Sequence, residues 1–397
     1  MSGAKIPRTD AGFCCGGRTG WIAFFLIAGL VSGCASVPDA IIGVDNPRIP
    51  AATVQGIKHH DIFIVTTRAP DADPKILYSG ERGADIGLGR VAVYVPPHHK
   101  TGELERPGRL PPDPRTQFAV LNPQKFDTGD QFVAGVRAEL AKRPRRDQTV
   151  LVFVHGYNTT LASAVLRIGQ FVEDTGYSGV PVLFSWASRG KAIDYVYDLN
   201  SALHARDQLL ETARLLGRTQ AAGFDIVAHS MGNLLTVEAM REAQLRGDFN
   251  RQKRLRNVVL ASPDIDIDVF KAQMASFPKK ERRFYVLISQ DDKALRLSRR
   301  IAGGVNRVGD ASADELAALG VTVVDLTKVE DRSNLNHAKF ANSPQVVQLI
   351  GKGILAGNAL NTETAEDGGL VEGLATGIVA IPTAVIKGGG SILTLGR

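Results

Sequence analysis

Ser230, Asp292 and His337 have the residue types and the chain order needed for nucleophilic acyl transfer. Ser230 stands in FDIVAHSMGN. A short apolar run ends at Ala228, and after Gly232 comes NLLTVEAMREAQLR, whose apolar positions Leu234, Leu235, Val237 and Met240 suit a helix. Strand, abrupt turn with a serine at its tip, then helix is the setting of an activated serine nucleophile. Such a turn brings strand and helix so close that the residues two before and two after the serine must be small. Here they are Ala228 and Gly232. The usual pattern has glycine at both, so Ala228 departs from it by one methyl group. A serine at an ordinary helix N-cap would give the same local pattern. The reading therefore rests on the serine's helpers: a base, an orienting acid, and donors for the developing oxyanion.

The base candidate is His337 in NLNHAKF, shortly after the last expected strand. His59-His60 and His98-His99 are adjacent pairs ahead of the core sheet, and His204 lies on an expected helix. His229 neighbours the serine and is expected to point away from it, into strand–helix packing. For the acid, Asp292 in VLISQDDKALRLS follows a strand, with Asp291 beside it and Asp264 in LASPDID as rivals. A carboxylate opening a helix is also a common N-cap. The order serine, acid, histidine is that of α/β-hydrolases.

The elements that must position these residues read as strands alternating with helices. HDIFIVTTR (60–68) and GRVAVYVP (89–96) are strand-like, and the proline-rich stretch 97–115 is loop. After QFAVLN come a helix near 128–143, the strand TVLVFVHG, a helix near 159–174, the strand VPVLFSWAS and one long helix near 201–217. Beyond the elbow helix follow RNVVLAS, a helix near 266–276, RRFYVLIS, a helix near 293–301 and VTVVDL. This alternation predicts an α/β domain over 56–352: a mostly parallel central sheet with helices on both faces and an N-terminal β extension. From Gly353 to 397 the chain is rich in Gly and Ala and reads as a flexible tail.

The N-terminus predicts an address. A basic start to Arg18 is followed by WIAFFLIAGLV and then Ser32-Gly33-Cys34, which has the form of a secretory signal over 1–33. The apolar run is short for a membrane span. Val31-Ser32-Gly33-Cys34 resembles a bacterial lipobox, whose cysteine becomes the lipidated first residue. Ala35-Ser36 lack an aspartate after the cysteine, so the expectation is a lipid anchor at Cys34 in the outer membrane, facing the periplasm. Residues 34–55 would be the tether. The three cysteines, Cys14, Cys15 and Cys34, leave the domain no disulfide framework.

Composition narrows the classes further. Apolar residues at 44% and charged residues at 22% are globular values. The net charge of +6 is scattered, part of it in the leader, and carries no nucleic-acid signature. There is no HExxH, Cys/His cluster, Walker motif or early GxGxxG, so neither a metal nor a cofactor is expected.

FVHGYN, FSWAS, DYVYD, AHSMGN, SPDID, DKALRLS and NHAKF together resemble a bacterial α/β-hydrolase family known as domain of unknown function nine hundred, over about residues 57 to 351. The resemblance implies the α/β-hydrolase fold and a Ser230–Asp292–His337 triad. His155-Gly156 is similar to the oxyanion loop of lipases and esterases, which implies backbone donors at Tyr157 and Met231. It places Trp186, Tyr195, Tyr197 and Asp198 after the fourth core strand, either lining an acyl pocket or simply packed. The expected function is hydrolysis of a small-molecule or lipid acyl ester. A non-catalytic envelope binding protein and a serine peptidase are the alternatives. Substrate and oligomeric state are not written in these motifs.

Overall fold

Two runs with no polar face make the centre of the sheet. β4 (Thr149–Val154) and β5 (Val180–Ser185) are buried at every position, as strands covered on both sides must be. In β4, Val150, Val152 and Val154 enter one core cluster, and Leu151 and Phe153 enter the other. The computed structural model describes residues 37–331, 333–355, 384–387 and 390–394. The expected signal over 1–33, Cys34 and tail residues 356–383 lie outside the described residues.

The remaining strands are β1 (Lys58–Pro70), β2 (Tyr78–Val95), β3 (Ala119–Phe126), β6 (Gly223–His229), β7 (Leu255–Ala261), β8 (Phe284–Ile288), β9 (Thr322–Asp325), β10 (Ala384–Lys387) and β11 (Gly390–Thr394). They form one 11-stranded sheet in the order β10-β11-β9-β8-β7-β6-β4-β5-β1-β2-β3. From β9 to β1 every neighbour is parallel, and β1, β2 and β3 continue the sheet antiparallel as the N-terminal extension. The helices are α1 (Gly129–Ala141), α2 (Leu161–Thr175), α3 (Tyr195–His204), α4 (Arg206–Gly217), α5 (Gly232–Leu245), α6 (Ile267–Ala275), α7 (Lys293–Ile301), α8 (Ala313–Ala318), α9 (Lys339–Asn342) and α10 (Pro344–Gln348). Residues of α1 and of α3 through α6 share one core cluster, and those of α2, α9 and α10 share the other. Every strand-to-helix turn from β4 to β8 opens at the same, C-terminal end of the sheet.

Three expectations are corrected. Of the tether expected over 34–55, the described residues 37–55 are docked: Ile41 and Ile42 are buried, Ile42 bridges to Val120, and Asp39 binds Arg106 and Thr160. Burying two isoleucines outweighs the freedom that Pro, Gly and Ala would confer. The long helix expected near 201–217 is two helices broken at Ala205, and the first of them, α3, begins earlier, at Tyr195. Within the tail expected to be flexible over 353–397, β10 (384–387) and β11 (390–394) extend the sheet beyond β9, which would otherwise be an edge strand. The short β-branched runs of 384–387 and 390–394 are the strand signal that the glycine content hides.

Candidate active site

Ser230 directly follows β6 with φ +54°, a left-handed backbone that costs a non-glycine residue on the order of 1–3 kcal/mol. Several bonds hold it there. Its N–H donates to Ala261 O at 3.0 Å, and its carbonyl accepts from Asn233 N at 3.1 Å, Asn233 Nδ2 at 2.8 Å and Asp264 N at 3.2 Å. A Cβ on Gly232 would lie 2.3 Å from His155 O, and one on Gly156 would lie 2.7 Å from Ser230 Cβ. Only hydrogen fits at either position. Ala228, fully buried, accommodates its methyl on the strand side.

The three candidate carboxylates separate by their partners. Asp292 is fully buried after β8 and uses both oxygens: Oδ2 binds His337 Nδ1 at 2.7 Å, and Oδ1 accepts from Leu295 N at 3.0 Å as the N-cap of α7. The capping role and the pairing with histidine therefore coexist. Asp264 is occupied by Tyr195 Oη at 3.1 Å, Ser298 Oγ at 2.5 Å and an ion pair with Arg307 at 3.3 Å. Asp291 binds Asn336 and Lys339. The Ser230 hydroxyl makes no hydrogen bond among the described residues.

Among the described residues, the backbone N–H groups of Tyr157 and Met231 also have no protein acceptor. Their neighbours do. Asn158 N donates to Asp198 Oδ2 at 3.1 Å, Thr159 N to Ser188 Oγ at 2.9 Å, and Trp186 Nε1 to His155 O at 2.8 Å. The 155–159 turn is thus pinned on all sides while two donors stay open. Trp186 and Asp198 are fully buried scaffolding for that turn, and Tyr197 stacks under Arg189 at 3.6 Å. Tyr195 meets Tyr157 edge-on at 5.2 Å.

Arg68 has no counterpart in the sequence reading. It is buried in β1 and donates to Ser185 Oγ at 2.8 Å, Ser79 O at 3.1 Å, Ser188 O at 2.6 Å and Thr159 O at 2.6 Å, tying the turn to two strands. Burial, partly offset by Asp198, lowers its pKa to about 10, so it stays charged. A lone arginine in a strand carries no local signal of this.

His229 packs against α9 and the loop that carries His337. Its ring packs against His337 and Phe340 at 4.8 and 4.7 Å, and Nε2 donates to the His337 carbonyl at 3.1 Å. Burial, then the nearby His337 ring, depresses its pKa well below the usual value, so it is a neutral donor. Burial, then the Arg68 cation, pushes His155 down to about 3. The unfolded chain takes up a proton on that histidine near pH 6.5, whereas the folded chain does not until about pH 3. The contribution is therefore complete above pH 6.5 and lost as pH falls toward 3. From His155 alone, urea unfolding should show a loss of about 2 kcal/mol between pH 7 and pH 5. His155→Gln should remove that share of the slope; an unchanged slope would mean that the imidazole is not buried neutral.

A cavity of about 770 Å³ lies elsewhere, between α4 and α5 and against the first half of β6 at Phe224 and Ile226. Neither Ser230 nor His337 lines it.

Residues 131–353 match the family model described as alpha/beta hydrolase of unknown function (DUF900). The chain belongs to that family. The family's fold is the one built here around the β6–α5 turn, with the sheet mostly parallel and helices on both faces. Among solved structures the chain is similar to a hyperthermophilic esterase from Pyrobaculum calidifontis, at 12% identity over 75% of this chain and 83% of that one, with a TM-score of 0.31. It is similar to a fungal esterase from Rhizomucor miehei at 11% identity over 80% and 87%, with a TM-score of 0.33. An Aspergillus fumigatus lipase B matches at 11% identity and a TM-score of 0.24, over 36% of this chain and only 37% of the lipase. Likenesses of this size say nothing about substrate. No curated protein matches the chain.

Proposed function

We propose that this DUF900 protein is a serine hydrolase that cleaves an ester or related acyl bond. The observation that carries the proposal is the 2.7 Å bond from a buried Asp292 to His337, on the loops that follow β8 and β9. Ser230 Oγ attacks the acyl carbonyl carbon as His337 Nε2 takes its proton. The carbonyl π electrons move onto oxygen, where the N–H groups of Met231 and Tyr157 receive the charge. Collapse expels the alkoxide, which takes the proton from His337 and leaves an acyl-enzyme. Water, deprotonated by the same imidazole, then attacks and releases the acid and Ser230. Asp292 holds Nδ1 as the protonated nitrogen throughout.

The proposal includes its setting: a lipid anchor at Cys34 after signal cleavage, holding the enzyme in the bacterial envelope on the periplasmic side of the outer membrane. The lipobox-like Val31-Ser32-Gly33-Cys34 supports this part.

A fluorophosphonate probe tests the chemistry, since it modifies only an activated serine. Wild type should label, and Ser230→Ala should not. A folded wild type that fails to label would sink the hydrolase reading in favour of a binding protein on the same scaffold, which the unengaged Ser230 hydroxyl would also suit.

A further inference from the structure

Asp291 and Lys339 have no part in the triad, yet Lys339 is a charged side chain only 1% exposed. Its Nζ donates to Asp291 Oδ1 at 2.7 Å and to Leu326 O at 3.0 Å. Asn336 Nδ2 donates to Asp291 Oδ2 at 2.8 Å, and the Ser289 hydroxyl donates to Oδ1. Two adjacent carboxylates, Asp291 and Asp292, thus bind two adjacent residues, Asn336 and His337, and Lys339 closes the far side. Lys293 adds two bonds to the upstream part of the loop, its backbone N–H donating to Leu335 O at 2.9 Å and its Nζ to Asn334 O at 2.8 Å. Three consecutive residues of the turn after β8, Asp291, Asp292 and Lys293, thus bind the loop after β9 at 334–337.

This set of bonds answers a physical problem. His337 sits on an irregular segment just after Asn336, whose φ is +55°, with no strand or helix among the described residues from Leu326 to Ala338 to hold it. An imidazole in a triad must stay within about half an ångström of its place. A buried ammonium is strongly disfavoured unless paired, so Lys339 favours this one arrangement of its loop over alternatives. We propose that Asp291, with Lys339 and Asn336, is a positioning device that sets the register of the His337 loop on Asp292. The proposal rests on the triad reading above, and it assigns these residues no contact with substrate.

The test uses Asp291→Asn, Lys339→Met and the double variant, read in two ways. The first is the downfield proton resonance of His337 Nδ1–H bound to Asp292, which needs no turnover. The second is p-nitrophenyl acetate hydrolysis together with the rate of fluorophosphonate labelling. In Asp291→Asn the resonance should broaden or vanish, and kcat and the labelling rate should fall about 10- to 100-fold with KM nearly unchanged, as a misplacement on the order of 1 Å does. The double variant should lose no more than the worse single one, because the pair acts as a unit. A sharp wild-type resonance with unchanged rates in Asp291→Asn would overturn the proposal. So would a lowered melting temperature with the resonance intact, which marks mere structural support. Should Lys339→Met fail to fold, Asp291→Asn decides alone. Should wild type fail to label, the hydrolase reading falls, and the resonance still decides the register device.

Discussion

Ser230→Ala and His337→Ala are each expected to lower kcat on the order of 10⁶-fold, and the double variant to lose no more than either. The hydroxyl is a nucleophile only as its proton leaves for the imidazole, so removing either partner removes the same step. Ser230→Ala should cost little stability: the oxygen makes no hydrogen bond among the described residues, and the backbone bonds to Ala261, Asn233 and Asp264 do not involve it. The residual rate should exceed that of water about 10³- to 10⁴-fold, from the oxyanion donors and binding. Steady-state hydrolysis of an activated ester by the four proteins checks this. Multiplicative losses would show that the residues act independently and would remove the triad.

Asp292→Asn is the second large effect, about 10⁴-fold in kcat. The two oxygens of Asp292 do different work. Asparagine can keep its carbonyl oxygen toward Leu295 N and so preserve the N-cap of α7. Its amide then faces His337 Nδ1, where an acceptor stood, and the ring must present a lone pair to it. The proton moves to Nε2, which can no longer take one from Ser230. The melting temperature should fall only slightly while turnover collapses. A folded variant that retains more than about a tenth of the activity would exclude Asp292 as the orienting acid, since a tautomer switch costs orders of magnitude.

Much of the site's shape was legible locally. The need for a small residue at 232 follows from the strand–turn–helix pattern, and the structure supplies its cause in the 2.3 Å approach to His155 O. The strands read from apolar runs recur as β4 through β9 with small shifts at their ends. What misled was composition. Residues 34–55 look like linker, but Ile41 and Ile42 are enough to dock 37–55, and the Gly- and Ala-rich composition of 353–397 hides the paired strands β10 and β11. The first part of helix α3 was missed because YVYDLNSALH carries a polar residue, Asp198, on its buried side, where it serves the 155–159 turn.

By itself the sequence determined the alternation of strand and helix, the small residues around Ser230, and a short set of acids and histidines at strand ends. These depend on near neighbours in the chain. Only the tertiary structure decided which carboxylate meets His337, because Asp264, Asp291 and Asp292 occupy the same kind of position, just past a strand. The choice is made across 45 residues by the adjacency of β8 and β9 and the turn each carries. It likewise decided that His229 holds the carbonyl of His337 across 108 residues, and that Arg68 braces the 155–159 turn. Such partners are set by sheet order and distances under about 3.5 Å, and neither leaves a periodic trace in the chain.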